Sequence, residues 1–308
     1  MSRYCVAIAQ INPRLGDVEA NLAIYEQQLE RAKSSGADLV VFPELSLTGY
    51  FLKDMVPGIA LRLDAPIVSR LRELSRGCAL VAGFVEEASD FRFYNSAAYF
   101  EDGELRHVHR KVYLPTYGLF DEGRYFARGA RIRAFDSKFG RCAILICEDM
   151  WHVSTAYIAT LDGALSILCP STSPLRGIPA TGMQDENARY WEMINTTYAQ
   201  TFALSIVYAN RVGFEDGVGF WGGSEIVAAD GERRCKAEYY EEDLVMAEID
   251  TADVRRQRVA SPLLRDEEVE LTINELIRIG GRPCRDEPAE TPLRPAPAVI
   301  GASKRRKS

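Results

Sequence analysis

Histidine is almost missing from this chain, with 3 in 308 residues. His107 and His109 stand two apart on one face of a strand-like segment, and His152 is isolated. No carboxylate or cysteine cluster joins them and no cysteine pair has CxxC spacing, so the pattern argues against a metal site. The 7 cysteines are scattered and odd in number, which does not make a disulfide framework. Long apolar runs are also lacking: none approaches the roughly 18 residues that span a bilayer. Met1-Ser2-Arg3-Tyr4 leads straight into a strand-like segment, so no signal peptide is expected. Basic charge is in deficit, 37 Lys and Arg against 44 Asp and Glu for a net charge of −7, which removes the electrostatic case for nucleic acid as the main partner. The glycines of Val218-Gly219-Phe220-Trp221-Gly222-Gly223-Ser224 have neither GxGxxG nor GxxxxGK[ST] spacing, so they are not a phosphate loop. These absences describe a reduced, cytoplasmic protein with no metal, cofactor or membrane partner. What is present, 47% hydrophobic and 26% charged residues, is ordinary for a globular domain.

The patterning alternates between strand and helix. Cys5–Ile11 reads as a buried strand and Val18–Ser34 as a helix capped by Asp17, with Val18, Leu22, Tyr25, Leu29 and Ala32 on one face. Ala37–Phe42 is a strand that Pro43 must end or leave at a sheet edge. A helix over Pro66–Ser75, capped by Asp64, precedes strands at Cys78–Val85 and Tyr94–Phe100. Asp102-Gly103 then turns the chain back through Leu105–Lys111. Thr116–Phe126 is too aromatic for a solvent loop and too glycine-broken for a helix, which suggests a pocket wall. Ile132–Asp136 and Cys142–Cys147 form a second hairpin. Helices follow at His152–Leu161 and Asp185–Phe202, with strands at Ala164–Cys169, Leu204–Ala209, Ser224–Ala229 and Leu244–Ile249. Hairpins among crossovers require a mixed α/β architecture rather than an all-parallel sheet. Prolines 283, 288, 292, 295 and 297 and the basic run Lys304-Arg305-Arg306-Lys307 mark 283–308 as an extended or disordered tail after a domain over 1–282.

Three reactive residues end three separate strands. Cys147 closes the apolar run from Cys142 and precedes Glu148-Asp149-Met150-Trp151-His152; Glu44 follows Pro43; Lys111 follows Arg110. Each alone has a bland reading, as a buried small hydrophobe, a solvated loop carboxylate and a solvated lysine. Sites in α/β folds gather where strands end, which makes the coincidence informative.

Phe42-Pro43-Glu44, His109-Arg110-Lys111-Val112-Tyr113-Leu114-Pro115 and Ile146-Cys147-Glu148-Asp149-Met150-Trp151, in this order, resemble the nitrilase superfamily of carbon–nitrogen hydrolases. The resemblance runs from Cys5 to about Arg282 and implies a four-layer αββα sandwich with a Glu-Lys-Cys triad at Glu44, Lys111 and Cys147. The family's second glutamate, which orients the lysine and the substrate, matches Glu122. Within the superfamily the segments around Lys111–Phe126, Cys147–His152 and Pro170–Pro174 look most like the glutaminase domain of glutamine-dependent NAD synthetases. The chemistry fits these residue types. Glu44 takes the thiol proton as Cys147 attacks a carbonyl carbon and passes it to the leaving amine, while Lys111 and the backbone N–H of Glu148 face the oxyanion.

The resemblance also implies a substrate pocket at Tyr117, Glu148 and Ser173, with Glu148 opposite an α-ammonium. Arg176 lies near the family's carboxylate-binding arginine but at a different spacing. No ATP-pyrophosphatase SGGxDS motif follows in the 308 residues, so released ammonia is expected to have no consumer on this chain. The leading expectation is an amidase acting on a small linear amide. Its alternatives are a glutaminase feeding a separate NAD synthetase-type partner and a non-catalytic scaffold. An intact triad argues against the scaffold; nothing in the sequence ranks amide against nitrile. The family further implies a homodimer or higher homo-oligomer.

Overall fold

The computed structural model describes residues 2–175 and 186–281. The chain clusters into two compact units, residues 1–265 and 266–308. The division falls earlier than the expected boundary at 282, and the tail expected at 283–308 lies outside the described residues.

The first unit begins with β1 (Arg3–Gln10), α1 (Val18–Ser34) and β2 (Leu39–Val41). Asp17 caps α1 as expected, accepting the Ala20 N–H at 3.1 Å. Short helix α2 (Val56–Ile59) and α3 (Pro66–Leu74) follow. Ala65 caps α3, with no side-chain hydrogen bond, and Asp64 pairs with Arg62 instead. Proline at the start of α3 already lacks an N–H, which reduces the need for a side-chain cap. Next come β3 (Ala79–Glu87), β4 (Phe93–Glu101), β5 (Glu104–Arg110), α4 (Glu122–Tyr125), β6 (Ala134–Ser137) and β7 (Gly140–Ile144). Helix α4 is a single turn that contains Gly123, so the glycines of this segment do not exclude helix. Helix α5 (Val153–Leu161), β8 (Ser166–Ser171), α6 (Glu186–Phe202) and β9 (Ser205–Asn210) complete the crossovers. The chain then forms β10 (Val212–Glu215), β11 (Val218–Trp221), β12 (Glu225–Val227), β13 (Arg233–Lys236), β14 (Asp243–Asp250) and α7 (Thr251–Ala260). In the second unit, α8 (Val269–Gly280) carries Val269, Ile273, Leu276 and Ile277 at helical spacing. No helix of the described residues is long and apolar enough to cross a membrane.

Two six-stranded sheets dominate, in the orders β14-β1-β2-β3-β4-β5 and β13-β12-β9-β8-β7-β6. Both are mixed: β1, β2 and β3 run parallel, as do β7, β8 and β9, and the outer pairs are antiparallel. Period-two alternation splits β1 between two cores. Val6 and Ile8 join Val41, Val81, Ile144, Ile167 and Val207 in the core between the sheets, which reaches Trp191 and Ala199 of α6. Ala7 and Ala9 join Leu22, Tyr25 and Leu29 of α1 and Val68 and Leu71 of α3. The layers are therefore helix, sheet, sheet, helix, as the resemblance implied. Side chains such as Leu29 and Val68, fully removed from water, each contribute about 1.5–3 kcal/mol.

This frame sets the strand ends side by side. Tyr25 stacks on Phe42, and its hydroxyl bonds Ser46 Oγ at 2.7 Å, so α1 grips the turn that carries Glu44. The turn lies on β3 at Gly83, where a Cβ would meet Leu45 N at 2.6 Å and Pro43 O at 2.7 Å. Only glycine permits that approach.

Candidate active site

Glu44, Lys111 and Glu122 are in direct contact. Lys111 Nζ donates to Glu44 Oε1 at 2.7 Å and to Glu122 Oε1 at 2.6 Å, and all three groups are buried. Asn95 Nδ2 donates to Glu44 Oε1 at 2.8 Å, and the Tyr50 hydroxyl donates to Glu122 Oε1 at 2.5 Å. The second carboxylate oxygens, Glu44 Oε2 and Glu122 Oε2, are buried without a hydrogen-bond partner among the described residues. An unpaired buried oxygen is costly.

Burial alone would lower the Lys111 pKa, but the charges of Glu122 and Glu44 outweigh it and hold it well above the usual lysine value. Burial raises the Glu122 carboxyl to about 7, against the pull of Lys111 and with the push of Glu44. Burial also pushes the Cys147 thiol well above its usual value; Glu44 adds to this, and Lys111 and Ser171 oppose it. The resting sulfur is therefore held as a thiol.

Cys147 lies just beyond the strand predicted for it. Strand β7 ends at Ile144, and a 3-10 turn over Cys147–Trp151 begins at the cysteine. Its φ is +44°, a left-handed value that costs a non-glycine residue about 1–3 kcal/mol. The Ser171 hydroxyl, at the end of β8, donates to Cys147 Sγ at 3.3 Å. Leu45, next to Glu44, has a similar φ of +48°, so both turns are strained at the site.

Asp149 ties the Cys147 turn to the Lys111 strand. Its Oδ1 accepts the N–H of Val112 at 3.0 Å and of Tyr113 at 2.9 Å, and its Oδ2 accepts the Ile146 N–H at 3.1 Å. His109 Nε2 lies 2.8 Å from the same Oδ2. The sequence reading treated His109 as an ordinary strand histidine and assigned Asp149 no role. The available signal was His109 two residues before Lys111, which puts both on one face of the strand. Tyr50, Asn95 and Ser171 were also missed; Tyr50 and Asn95 lie outside the three motifs, and Ser171 lies in the Pro170–Pro174 segment, where only Ser173 was singled out.

Of the expected pocket residues, the Tyr117 hydroxyl donates to both oxygens of Glu148, at 3.1 and 3.0 Å. His152, stacked on Tyr113, brings Nε2 to 3.9 Å from Glu148 Oε1. Ser173 is buried; its N–H donates to Asn210 Oδ1 at 2.8 Å, and its hydroxyl accepts from Asn187 Nδ2 at 2.8 Å and Trp191 Nε1 at 2.9 Å. With two donors already on its oxygen, the hydroxyl has its own proton to give. Trp191, read from the sequence as core, is both core and support for Ser173. Arg176 lies outside the described residues.

Two mixed sheets between helices, with a buried thiol beside a carboxylate–ammonium–carboxylate cluster at the strand ends, define a hydrolase-type α/β sandwich. Residues 5–259 match the carbon–nitrogen hydrolase family, and the chain belongs to that family. It is 31% identical over 262 residues to a glutamine-dependent NAD(+) synthetase of Acinetobacter baylyi, covering 84% of this chain and 46% of the relative. A citrullinase of Francisella tularensis is 28% identical over 291 residues, covering 90% of this chain and 99% of that protein. The crystal structure of a carbon–nitrogen hydrolase from Helicobacter pylori G27 superposes with a TM-score of 0.77 at 25% identity, covering 89% of this chain and 99% of that one. The chain spans about half the length of the NAD synthetases it matches.

Proposed function

We propose that the protein hydrolyses the terminal amide of a small α-amino acid, with Cys147 as nucleophile. The observation that carries this reading is the buried Lys111 ammonium held between Glu44 and Glu122 next to a protonated thiol. Glu44 takes the thiol proton as sulfur bonds the carbonyl carbon. The oxyanion faces Lys111 Nζ and the backbone N–H of Glu148. As the C–N bond breaks, Glu44 passes its proton to the nitrogen and ammonia leaves. Water then attacks the thioester, giving a proton to Glu44, and the carboxylic acid departs as the thiol is reprotonated. Glu122 keeps Lys111 charged and aimed, and Tyr50 holds Glu122.

The substrate class rests on Glu148 and Ser173. Glu148 follows the nucleophile directly, is held by Tyr117, and offers a carboxylate to an ammonium. Ser173 offers a hydroxyl proton. The names of the relatives point the same way, since glutamine and citrulline are both α-amino acids ending in a C(=O)NH2 group.

The test is ammonia release across glutamine, citrulline, asparagine, a short aliphatic amide and benzonitrile, in wild type and Glu148→Gln. Glutamine or citrulline should give the highest kcat/KM, and Glu148→Gln should lower it on the order of 10- to 100-fold while sparing the aliphatic amide, because a lost charge pairing costs about 1.5–3 kcal/mol. A faster aliphatic amide, unaffected by Glu148→Gln, would replace this reading with a general amidase. A second reading, favoured by the half-length match to NAD synthetases, is a glutaminase whose ammonia passes to a separate synthetase. It requires glutamine to lead citrulline and turnover to rise when the partner is present.

A further inference from the structure

A separate cavity of about 520 Å³ opens along β5, the strand that leads to Lys111. It is lined by Leu63, Glu86, His107–Arg110 of β5 and the connection carrying Ala130, Arg131 and Arg133. Its shape follows from one glycine. The Gly129 N–H donates to Lys111 O at 2.8 Å, and a Cβ at Gly129 would meet Arg110 O at 1.9 Å. The connection is thus pinned against the end of β5, which is an edge strand, and continues to β6 at the edge of the other sheet. The cavity lies between strand and connection.

Its charge is out of keeping with the rest of the chain. The net charge is −7, yet three arginines line this cavity against one carboxylate. That carboxylate is already satisfied: Arg110 grips Glu86 through Nε at 2.9 Å and Nη2 at 2.5 Å, and Ser96 Oγ donates to it at 2.7 Å. Arg110 also lies 4.0 Å over the Tyr94 ring, so its guanidinium is fixed in place. Arg131 and Arg133 make no ion pair or side-chain hydrogen bond to any described residue. They are two residues apart in irregular, non-helical chain, and both line the cavity. His107 does not supply the charge. It stacks on Phe135 and is held neutral by burial, and His109 faces Asp149.

We propose that this cavity is a binding site for a small multivalent oxyanion, gripped by Arg131 and Arg133 with Arg110 at its back. Guanidinium groups match the oxygens of phosphate and carboxylate bidentately, and the volume lies within the usual range for small-ligand sites. Phosphoryl and polycarboxylate ligands share this chemistry. The site is independent of the amide reading, since none of its arginines contacts the reacting groups.

The test is isothermal titration of the full-length protein with inorganic phosphate, pyrophosphate and citrate, with sodium chloride at matched ionic strength as control. The same titrations use Arg131→Ala/Arg133→Ala, whose substituted residues are exposed and whose folding is checked by its melting temperature. Saturable binding of at least one probe, weakened 10-fold or more in the double variant and not reproduced by chloride, is expected. Preference for pyrophosphate assigns the site to phosphoryl ligands; preference for citrate assigns it to polycarboxylates. No saturable binding, or equal affinity in the double variant, overturns the proposal.

Discussion

Glu122 shows how the site's environment moves a carboxylate. Its carboxyl titrates near 7 because burial and Glu44 outweigh Lys111, whereas in the unfolded chain it titrates near 4.5. A raised folded-state value means that the native protein binds more protons than the unfolded chain between these two values. The stabilising contribution is complete below about 4.5 and is lost as the pH rises through about 7. Glu122→Gln, which cannot titrate, should therefore become more stable relative to wild type as the pH rises across this window, by about 1.4 kcal/mol per pH unit at most. Urea melts of both proteins at pH 5, 6 and 7 check this; parallel stability curves would show that Glu122 does not titrate there. Cys147 behaves in the opposite functional sense. Its thiol is held protonated, so alkylation of the resting protein by iodoacetamide should be slow at pH 7 and still rising at pH 9. A plateau below pH 8 would mean a preformed thiolate.

These residue-level facts were only partly legible in the sequence. Glu44, Lys111 and Cys147 stood out because each follows an apolar strand with a reactive group. Tyr50 and Asn95 did not, because their partners are Glu122 and Glu44, 72 and 51 residues away in the chain. No local spacing encodes such contacts.

At the scale of elements, strands and long helices followed their periodicity closely: α1 begins and ends at the residues read from the sequence. The failures were in the glycine-rich hairpin, the short strand β13 and the last two helices, α7 and α8, none of which was read from the sequence. The β10–β11 hairpin was not foreseen, and its stretch is glycine-rich because Gly213 and Gly217 adopt φ of +90° and +79°. Helix α7 lacks a strong apolar stripe; it is set by Asp250, which accepts the Ala252 N–H at 2.8 Å. The link between the β5 and β7 ends was invisible because it depends on one buried carboxylate. Asp149→Ala would strand three backbone N–H groups and His109, at about 1–3 kcal/mol for each buried donor. It should lower the melting temperature and kcat together, whereas Asp149→Asn, which keeps one acceptor oxygen and the shape, should recover part of both. Full activity in Asp149→Ala would remove its positioning role. Gly83→Ala tests the Glu44 turn in the same way. The added Cβ meets backbone atoms of Pro43 and Leu45, so turnover should fall by more than the stability change explains.

At the scale of the whole molecule, the layer order was readable because hairpins and crossovers alternate in the pattern and the resemblance supplied the rest. Proline content suggested a boundary near 282, beyond which the residues lie outside those described; contacts group residues 1–265 as one compact unit. The composition of 286–308, rich in proline and lysine–arginine, leads to the expectation that removing these residues leaves melting temperature and turnover unchanged. A drop of several degrees on truncation would show that the segment packs.

The central claim is that a single sulfur, activated by Glu44 and served by Lys111, carries the reaction. It is tested most directly by ammonia release from the best amide of the panel in wild type and Cys147→Ala, with melting temperatures measured in parallel. The account predicts an unchanged fold and a loss in kcat on the order of 10⁴-fold or more, since groups that act as a unit fail together. A Cys147→Ala protein that is folded and retains more than a few per cent of wild-type turnover would contradict it.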